Sequence, residues 1–205
     1  CATLHCGESG STLRFMLPIA GALGVDATFV MEARLPERPL SPLWEEMERM
    51  GCCLSRPTEN TVRCEGRLKS GEYVIDGGIS SQFITGLLLA FPLIGGNSSL
   101  TITGTLESKP YVDMTEQALN CFDAPHFHSP GYLTVEGDWS NAAFYLAANS
   151  LGSDVLVENL NFESSQGDMA CHKLLAELEK ATTVACGDIP DLVPILSIVA
   201  AAKSG

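Results

Sequence analysis

Residues Asp76–Ile94 read DGGISSQFITGLLLAFPLI: a glycine turn, a polar cap and a buried helix. Gly77 and Gly78 let the backbone turn tightly, Ser80 or Ser81 caps amides that lack an intrahelical partner, and the residues after Phe83 are apolar nearly all round. A helix apolar on every side belongs inside a core. Its open N-terminus, with orphan amides and the positive end of the helix dipole behind small residues, suits an anion. The same pattern recurs at Gly7–Gly24 (GESGSTLRFMLPIAGALG), Gly137–Gly152 (GDWSNAAFYLAANSLG) and Gly187–Gly205 (GDIPDLVPILSIVAAAKSG), each opening on Gly with small polar residues and closing on Gly. This internal repeat predicts an α/β protein in which parallel buried helices are enclosed by sheet and by more amphipathic outer helices. For any single copy, small residues at a helix start read equally well as ordinary caps.

The chain has 205 residues, and the even spread of the repeats favours related lobes, placed at residues 1–130 and 131–205. A formal net charge of −13 argues against nucleic-acid binding, which needs a basic footprint. Small anionic ligands remain compatible with it, because Arg14, Arg34, Arg38 and Lys109 fall in or beside the motif stretches. The longest apolar run, Leu87–Ile94, contains Pro92 and is too short to span a bilayer, and the first residues show no signal-peptide pattern. The expectation is a soluble, cytoplasmic protein with no membrane partner. The 8 cysteines include no CxxC pair, which predicts scattered reduced thiols. His126 and His128 have HxH spacing without a third ligand nearby, so a surface loop is expected there and no metal.

Further elements follow from local patterns. Strands are expected at Cys1–Cys6, Ala27–Ala33, on either side of Pro57–Asn60, at Gly71–Asp76, Ser98–Gly104, Tyr132–Glu136 and Asp154–Asn159. Outer helices are expected around Leu43, Met47 and Met50 and over Met169–Ala181, and Pro110 starts a helix that runs to Cys121. Arg34 follows a strand and Arg38 precedes a proline, so both guanidinium forks are placed to meet a carboxylate or phosphate. Ser80, Ser81 and Gln82 supply polar groups at one helix start, and Ser108 and Tyr111 at another. Asp191 stands at the start of the last repeat helix, where compensation of the helix dipole alone would account for it.

GESGSTLRF, ARLPERP, DGGISSQF, ESKPYVDMT, VEGDWSNAAF and DIPDLVPIL, in that order, closely resemble successive motifs of the 3-phosphoshikimate 1-carboxyvinyltransferase (EPSP synthase) family. The resemblance implies the two-lobed enolpyruvyl transferase fold, built from repeated βαβαββ units around buried parallel helices. It also implies transfer of an enolpyruvyl group from phosphoenolpyruvate to the 5-hydroxyl of shikimate 3-phosphate, with release of phosphate and without metal or organic cofactor. By resemblance Ser80, Ser81 and Ser108 hold the 3-phosphate, Gln82 bridges both substrates and Tyr111 lines the shikimate ring. Gly10 and Arg34 receive phosphoenolpyruvate, Arg38 supports that loop, and Asp191 takes the proton from the 5-hydroxyl. Arg14 sits at the family's arginine position, and Glu8 replaces an Asn common in the family.

The family's N-terminal Lys-Ser-x-x-x-Arg segment and its cations beyond the Asp191 helix have no counterpart here, so the resemblance covers about the middle half of a full-length enzyme. The joins Asp123–Tyr132 and Glu179–Gly187 are short for the family. A monomer is expected. The related UDP-N-acetylglucosamine enolpyruvyl transferases share the fold and the chemistry, but SSQ and SKPY favour shikimate phosphate. A fragment that binds substrate without turnover is the other alternative.

Overall fold

Residues Ala2–Gly7 form β1 and Ala27–Met31, with Phe29 and Met31 buried at alternate positions, form β2. In the computed structural model, which describes residues 1–178 and 183–204, these strands pair in parallel, with Leu4 opposite Phe29. Parallel neighbours need a crossover, and helix α1 (Gly10–Leu23) supplies it. The Ser9 hydroxyl caps its start by accepting from the Thr12 amide at 3.1 Å, and Gly24, at φ 66°, ends it in a left-handed turn that favours glycine.

Helix α2 (Leu43–Arg49) then leads to β3 (Cys52–Ser55) and β4 (Thr61–Gly66). Strand β4 runs antiparallel to both β2 and β3, giving the sheet order β1-β2-β4-β3 and one complete βαβαββ unit. Strands β5 (Glu72–Asp76) and β6 (Ser99–Thr103) repeat the opening of that unit, pairing in parallel across helix α3 (Ser81–Ile94), and helix α4 (Lys109–Cys121) follows.

Helices α1 and α3 form the centre of this region, with Leu13, Leu17, Phe83, Ile84 and Leu87 almost wholly buried. Gly10 of α1 lies against Gln82 of α3, and one turn further along Arg14 lies against Gly86. Matching positions advance together, so the helices run in the same direction and present their N-termini side by side.

Contacts group Cys1–Glu107 with Thr115–Ser129 in one unit, and Ser108–Met114 with Pro130–Gly205 in another. The second unit contains α5 (Trp139–Ser150), a 3-10 turn at Gly167–Ala170, α6 (Cys171–Glu177), a second 3-10 turn at Pro190–Leu192 and α7 (Val193–Ser204). Its core is Trp139, Ala143, Cys171, Leu175, Leu192 and Leu196. The Trp139 indole donates to the Asn161 carbonyl at 2.9 Å, so its one polar atom is satisfied inside the core.

Two strand expectations fail here. Tyr132–Glu136 and Asp154–Asn159 form no strand. A ladder needs a neighbouring strand edge, and the second unit offers none among the described residues; only the Gly137 amide to the Asn159 carbonyl bridges these segments, at 3.0 Å. The outer helix expected over Met169–Ala181 is a 3-10 turn followed by α6, and its residues 179–181 lie outside the described residues. No helix among the described residues is long and apolar enough to cross a membrane.

A buried carboxylate ties α2 to β5. Glu46 accepts from Arg49 Nε at 2.8 Å, from Arg49 Nη2 at 2.7 Å and from the Val74 amide at 2.5 Å. Burial pushes its carboxyl up, but the bonds from Arg49 and Val74 outweigh that and hold it below the usual range. Stabilisation from a depressed carboxyl is complete above the unfolded-state value and is lost as pH falls through the folded value. Glu46→Gln is therefore expected to be less stable than the unaltered chain at neutral pH, by about 2 kcal/mol for the lost charged hydrogen bonds. The difference should vanish in urea melts run below the folded value.

Candidate functional site

The first unit brings Gly10, Arg14, Arg38 and Gln82 together. Any Cβ added to Gly10 would lie 3.2 Å from Arg38 Nη1, 3.5 Å from Gln82 Oε1 and 3.6 Å from Arg14 Nη1. Arg14 is fixed from several sides: Nη1 donates to Gln82 Oε1 at 2.7 Å, Nη2 donates to the Pro39 carbonyl at 3.1 Å, and the guanidinium lies 5.0 Å from the centre of the Phe83 ring. Burial, and then the charge of Arg38, lower its proton affinity. No carboxylate pairs with Arg14 or Arg38 among the described residues. Two like charges held together raise the local positive potential in an otherwise acidic chain and can attract an anion.

Of the arginines in the ARLPERP loop, the structure brings Arg38 to Gly10 and leaves Arg34 aside. Residues Leu35–Glu37 form a single 3-10 turn, after which Arg38 is extended (φ −75°, ψ 135°). Arg34, before the turn, has an 87% exposed side chain and pairs with Glu37 at 3.4 Å. Glu8 is exposed. At the start of α3 the Ser80 hydroxyl accepts from the Gln82 amide at 3.3 Å, and Ser81 occupies the first helical position, half-buried.

The second unit brings Tyr111, Ser140, Asp168 and Asp191 around a cavity of about 490 Å³ that Glu136, Asp138 and Gln166 also line. Tyr111 donates to Asp191 Oδ2 at 2.9 Å, and Ser140 donates to Asp168 Oδ2 at 2.5 Å. Burial, the bond to Asp191 and the nearby charges of Asp168 and Asp191 all keep the Tyr111 phenol protonated. Asp138 caps α5 through the Ser140 amide at 2.9 Å. Glu136 accepts from Ser164, from Gln166 at 2.8 Å and from Asn161 at 2.7 Å, and the first two of these bonds lead in holding its carboxyl low.

Ser108 enters α4 with φ 57°, a left-handed conformation uncommon for serine, and its amide donates to the Gly187 carbonyl at 3.0 Å. Gly167 is required where it stands: a Cβ there would lie 2.6 Å from the Asp188 carbonyl oxygen and 2.9 Å from Pro110 Cγ. That close approach sets Asp168 beside the start of α4.

Sequence reasoning singled out Tyr111 and Asp191 but missed Asp168 and Ser140. Asp168 immediately precedes the outer helix expected over Met169–Ala181, where no local pattern marks it, and it is 3% exposed. Ser140 lies inside the quoted GDWSNAAF motif, where capping already explains a serine. His126 and His128 both lie by Asp123, His128 at 2.8 Å, and among the described residues no group of three or more His, Cys, Asp or Glu is arranged to hold a metal.

The model of the family described as EPSP synthase (3-phosphoshikimate 1-carboxyvinyltransferase) matches residues 1–195. This chain belongs to that family. The 3-phosphoshikimate 1-carboxyvinyltransferase of Clostridium perfringens (strain 13 / Type A) is 35% identical over 235 residues, covering 98% of this chain and 55% of the relative. That of Clostridium beijerinckii is 34% identical over 236 residues, covering 99% and 54%. The chain thus spans about half the length of the curated relatives it matches. A match of 235 residues on a chain of 205 also means that the relatives carry residues with no counterpart here. The EPSP synthase of Acinetobacter baumannii shares the fold, with a TM-score of 0.62 at 22% identity over 91% of this chain and 46% of that one. The fold is therefore that of the enolpyruvyl transferases. The relatives' names do not favour the UDP-N-acetylglucosamine alternative.

Proposed function

We propose that this chain takes part in transferring the enolpyruvyl group of phosphoenolpyruvate to the 5-hydroxyl of shikimate 3-phosphate, with release of phosphate. The observation that carries this reading is the convergence of Arg14, Arg38 and Gln82 on the bare Cα of Gly10 in a chain of this family. An anion of phosphoenolpyruvate there relieves the repulsion between the arginines, and only a residue without Cβ lets it approach the backbone closely. Arg38 takes the role that the resemblance gave to Arg34. Gln82, its oxygen already held by Arg14, keeps its amide NH₂ free to donate to either substrate. Ser80 and Ser81, at the N-terminus of α3, suit the sugar phosphate. In the second unit Ser108 and Tyr111 supply hydroxyls for the shikimate moiety.

Asp191 is the proton acceptor. Its Oδ2 is engaged by the Tyr111 hydroxyl, which leaves Oδ1 for the 5-hydroxyl of the substrate. Fixed placement of the carboxylate beside that oxygen supplies much of the rate.

The test is phosphate release on mixing the chain with both substrates. Arg38→Ala is expected to raise the KM for phosphoenolpyruvate roughly 10- to 100-fold, the value of about 1.5–3 kcal/mol for a charged hydrogen bond. Arg34→Ala, exposed and on the far side of the turn, should change it less than about twofold. Equal effects of the two variants would remove the assignment, and binding of both substrates without phosphate release would identify a noncatalytic fragment.

A further inference from the structure

The entry to α4 is paired with a segment 79 or 80 positions further along the chain. The Ser108 amide donates to the Gly187 carbonyl at 3.0 Å, the Lys109 amide donates to Asp188 Oδ1 at 3.2 Å, and the Tyr111 hydroxyl donates to Asp191 Oδ2 at 2.9 Å. The donors stand on one turn and the acceptors on the stretch that leads into α7, both within the second unit. The two segments thus run side by side in register, and Asp188 makes the middle bond.

The proposed reaction has not used that carboxylate. The first amides of a helix have no intrahelical partner, and α4 carries no acid in its own first turn. Asp188 supplies from a distance what is missing: an acceptor for one amide and a negative charge at the positive end of the helix dipole. Its backbone is held from the other side by Gly167, where a Cβ would lie 2.6 Å from the Asp188 carbonyl oxygen and 2.9 Å from Pro110 Cγ. Ser108 is where this support matters most. At φ 57° it occupies a region that a serine keeps only when its surroundings over-determine it. The bonds at its own amide and at the Lys109 amide fix both peptide planes that flank it.

We propose that Asp188 is a positioning residue for the transfer, holding Ser108 and Tyr111 in the orientation in which they meet the shikimate moiety and Asp191. This rests on the reading of Asp191 as the base and of Ser108 and Tyr111 as contacts of that substrate. Asp188 acts through those side chains and not on the substrate itself. Without its carboxylate the Lys109 amide turns to water and the peptide after Ser108 is free to rotate. Tyr111 then shifts with the first turn of α4, and the bond that keeps Asp191 Oδ2 engaged loosens. Asp188 and Asp191 stand three residues apart in one motif, and their different partners on α4 separate their roles.

The test compares Asp188→Ala, Asp188→Asn and Asp188→Ala combined with Tyr111→Phe in the 205-residue chain. Asp188 is exposed, so its replacement leaves the core intact. The first readout needs no turnover: exchange of the Lys109 amide hydrogen should quicken roughly 10-fold or more in Asp188→Ala, with the amides of α5 and α6 unchanged. In phosphate-release assays Asp188→Ala is expected to lower kcat roughly 10- to 100-fold, the scale of a misplacement of about 1 Å. Calorimetric titration should show shikimate 3-phosphate bound about 10-fold more weakly. The KM for phosphoenolpyruvate should stay within about twofold, because Gly10, Arg38 and Gln82 belong to the first unit. Asp188→Asn keeps an oxygen that accepts from Lys109 and should recover most of the lost rate. The double variant should be no slower than the slower single one, since both changes act on the same bond.

Unchanged exchange at Lys109, an unchanged kcat beside faster exchange, or equal losses toward both substrates would each overturn the proposal. If the unaltered chain binds without releasing phosphate, an unchanged affinity of Asp188→Ala for shikimate 3-phosphate overturns it. The two readings fail separately. An active Asp191→Ala removes the base assignment, whereas an inactive Asp191→Ala beside a fully active Asp188→Ala removes only the positioning role.

Discussion

Asp191→Ala is expected to reduce phosphate release by a factor on the order of 10²–10⁴, the contribution of a positioned general base, while leaving substrate binding and the fold largely intact. Asp191 lies in the 3-10 turn Pro190–Leu192 that leads into α7, between the buried Ile189 and Leu192, so the backbone there is anchored by its neighbours and not by the carboxylate. Removing the carboxylate forfeits a favourable charge at a helix start, about 0.3–1 kcal/mol, and at the same time relieves its repulsion of buried Asp168. The two effects oppose each other, so thermal unfolding should shift little.

Asp191→Asn separates hydrogen bonding from proton transfer. An amide oxygen still accepts from Tyr111 but cannot act as the base, so this variant should be nearly as slow as Asp191→Ala. Recovery of most of the activity in Asp191→Asn would show that the residue orients Tyr111 and does not take a proton. Initial rates of phosphate release at saturating concentrations of both substrates are the deciding measurement.

The largest effect on stability is expected at Gly86. A Cβ at that position would overlap the Arg14 carbonyl oxygen of α1 and lie 3.2 Å from Pro18 Cγ. The overlap is with backbone of a buried neighbouring helix, so no side chain can rotate to relieve it. Helices α1 and α3 would have to separate, opening the contacts of Leu13, Leu17, Phe83 and Leu87, which are at most 1% exposed. Gly86→Ala should therefore destabilise the first unit by about 3 kcal/mol, the upper part of the usual overpacking range, despite the gain of up to about 1 kcal/mol in helix propensity. Gly187→Ala is the control. No heavy atom lies within 4 Å of the corresponding Cβ, so its unfolding free energy in urea should stay within about 0.5 kcal/mol of the unaltered chain. Similar midpoints for the two variants would mean that α1 and α3 do not meet at Gly86.

Much of this architecture is legible in order and composition alone. Apolar runs bounded by Gly and small polar residues mark α1, α3 and α5. Helix α3 fits the expectation of burial nearly all round, but α5 buries Trp139, Ala143 and Ala147 and leaves Phe144 62% and Tyr145 55% exposed, which corrects that expectation. The strands of the first unit are equally legible, since Thr28, Val30 and their counterparts alternate with buried neighbours. Tyr132–Glu136 and Asp154–Asn159 have the same β-branched and apolar composition and form no strand. A strand needs a partner edge, and the presence of an edge is not a property of the segment.

Side-chain roles divide along the same line. Spacing places Ser80 at a helix start and Asp191 ahead of another, where local capping rules apply. Spacing cannot distinguish Arg34 from Arg38, which share a loop and a chemistry. The single 3-10 turn between them turns one outward to Glu37 and carries the other to Gly10. Asp168 is more hidden still, because its burial depends on Gly167 admitting the Asp188 backbone and Pro110, residues distant in the chain.

By itself the sequence determined most elements of the first unit, the helix starts of the second and the family, because helix caps, apolar periodicity and glycine turns act over a few neighbouring residues. Tertiary structure alone decided which arginine meets Gly10, which carboxyl is buried and which hydroxyl meets Asp191. Those outcomes depend on distances between segments far apart in the chain, which close packing of the folded units sets.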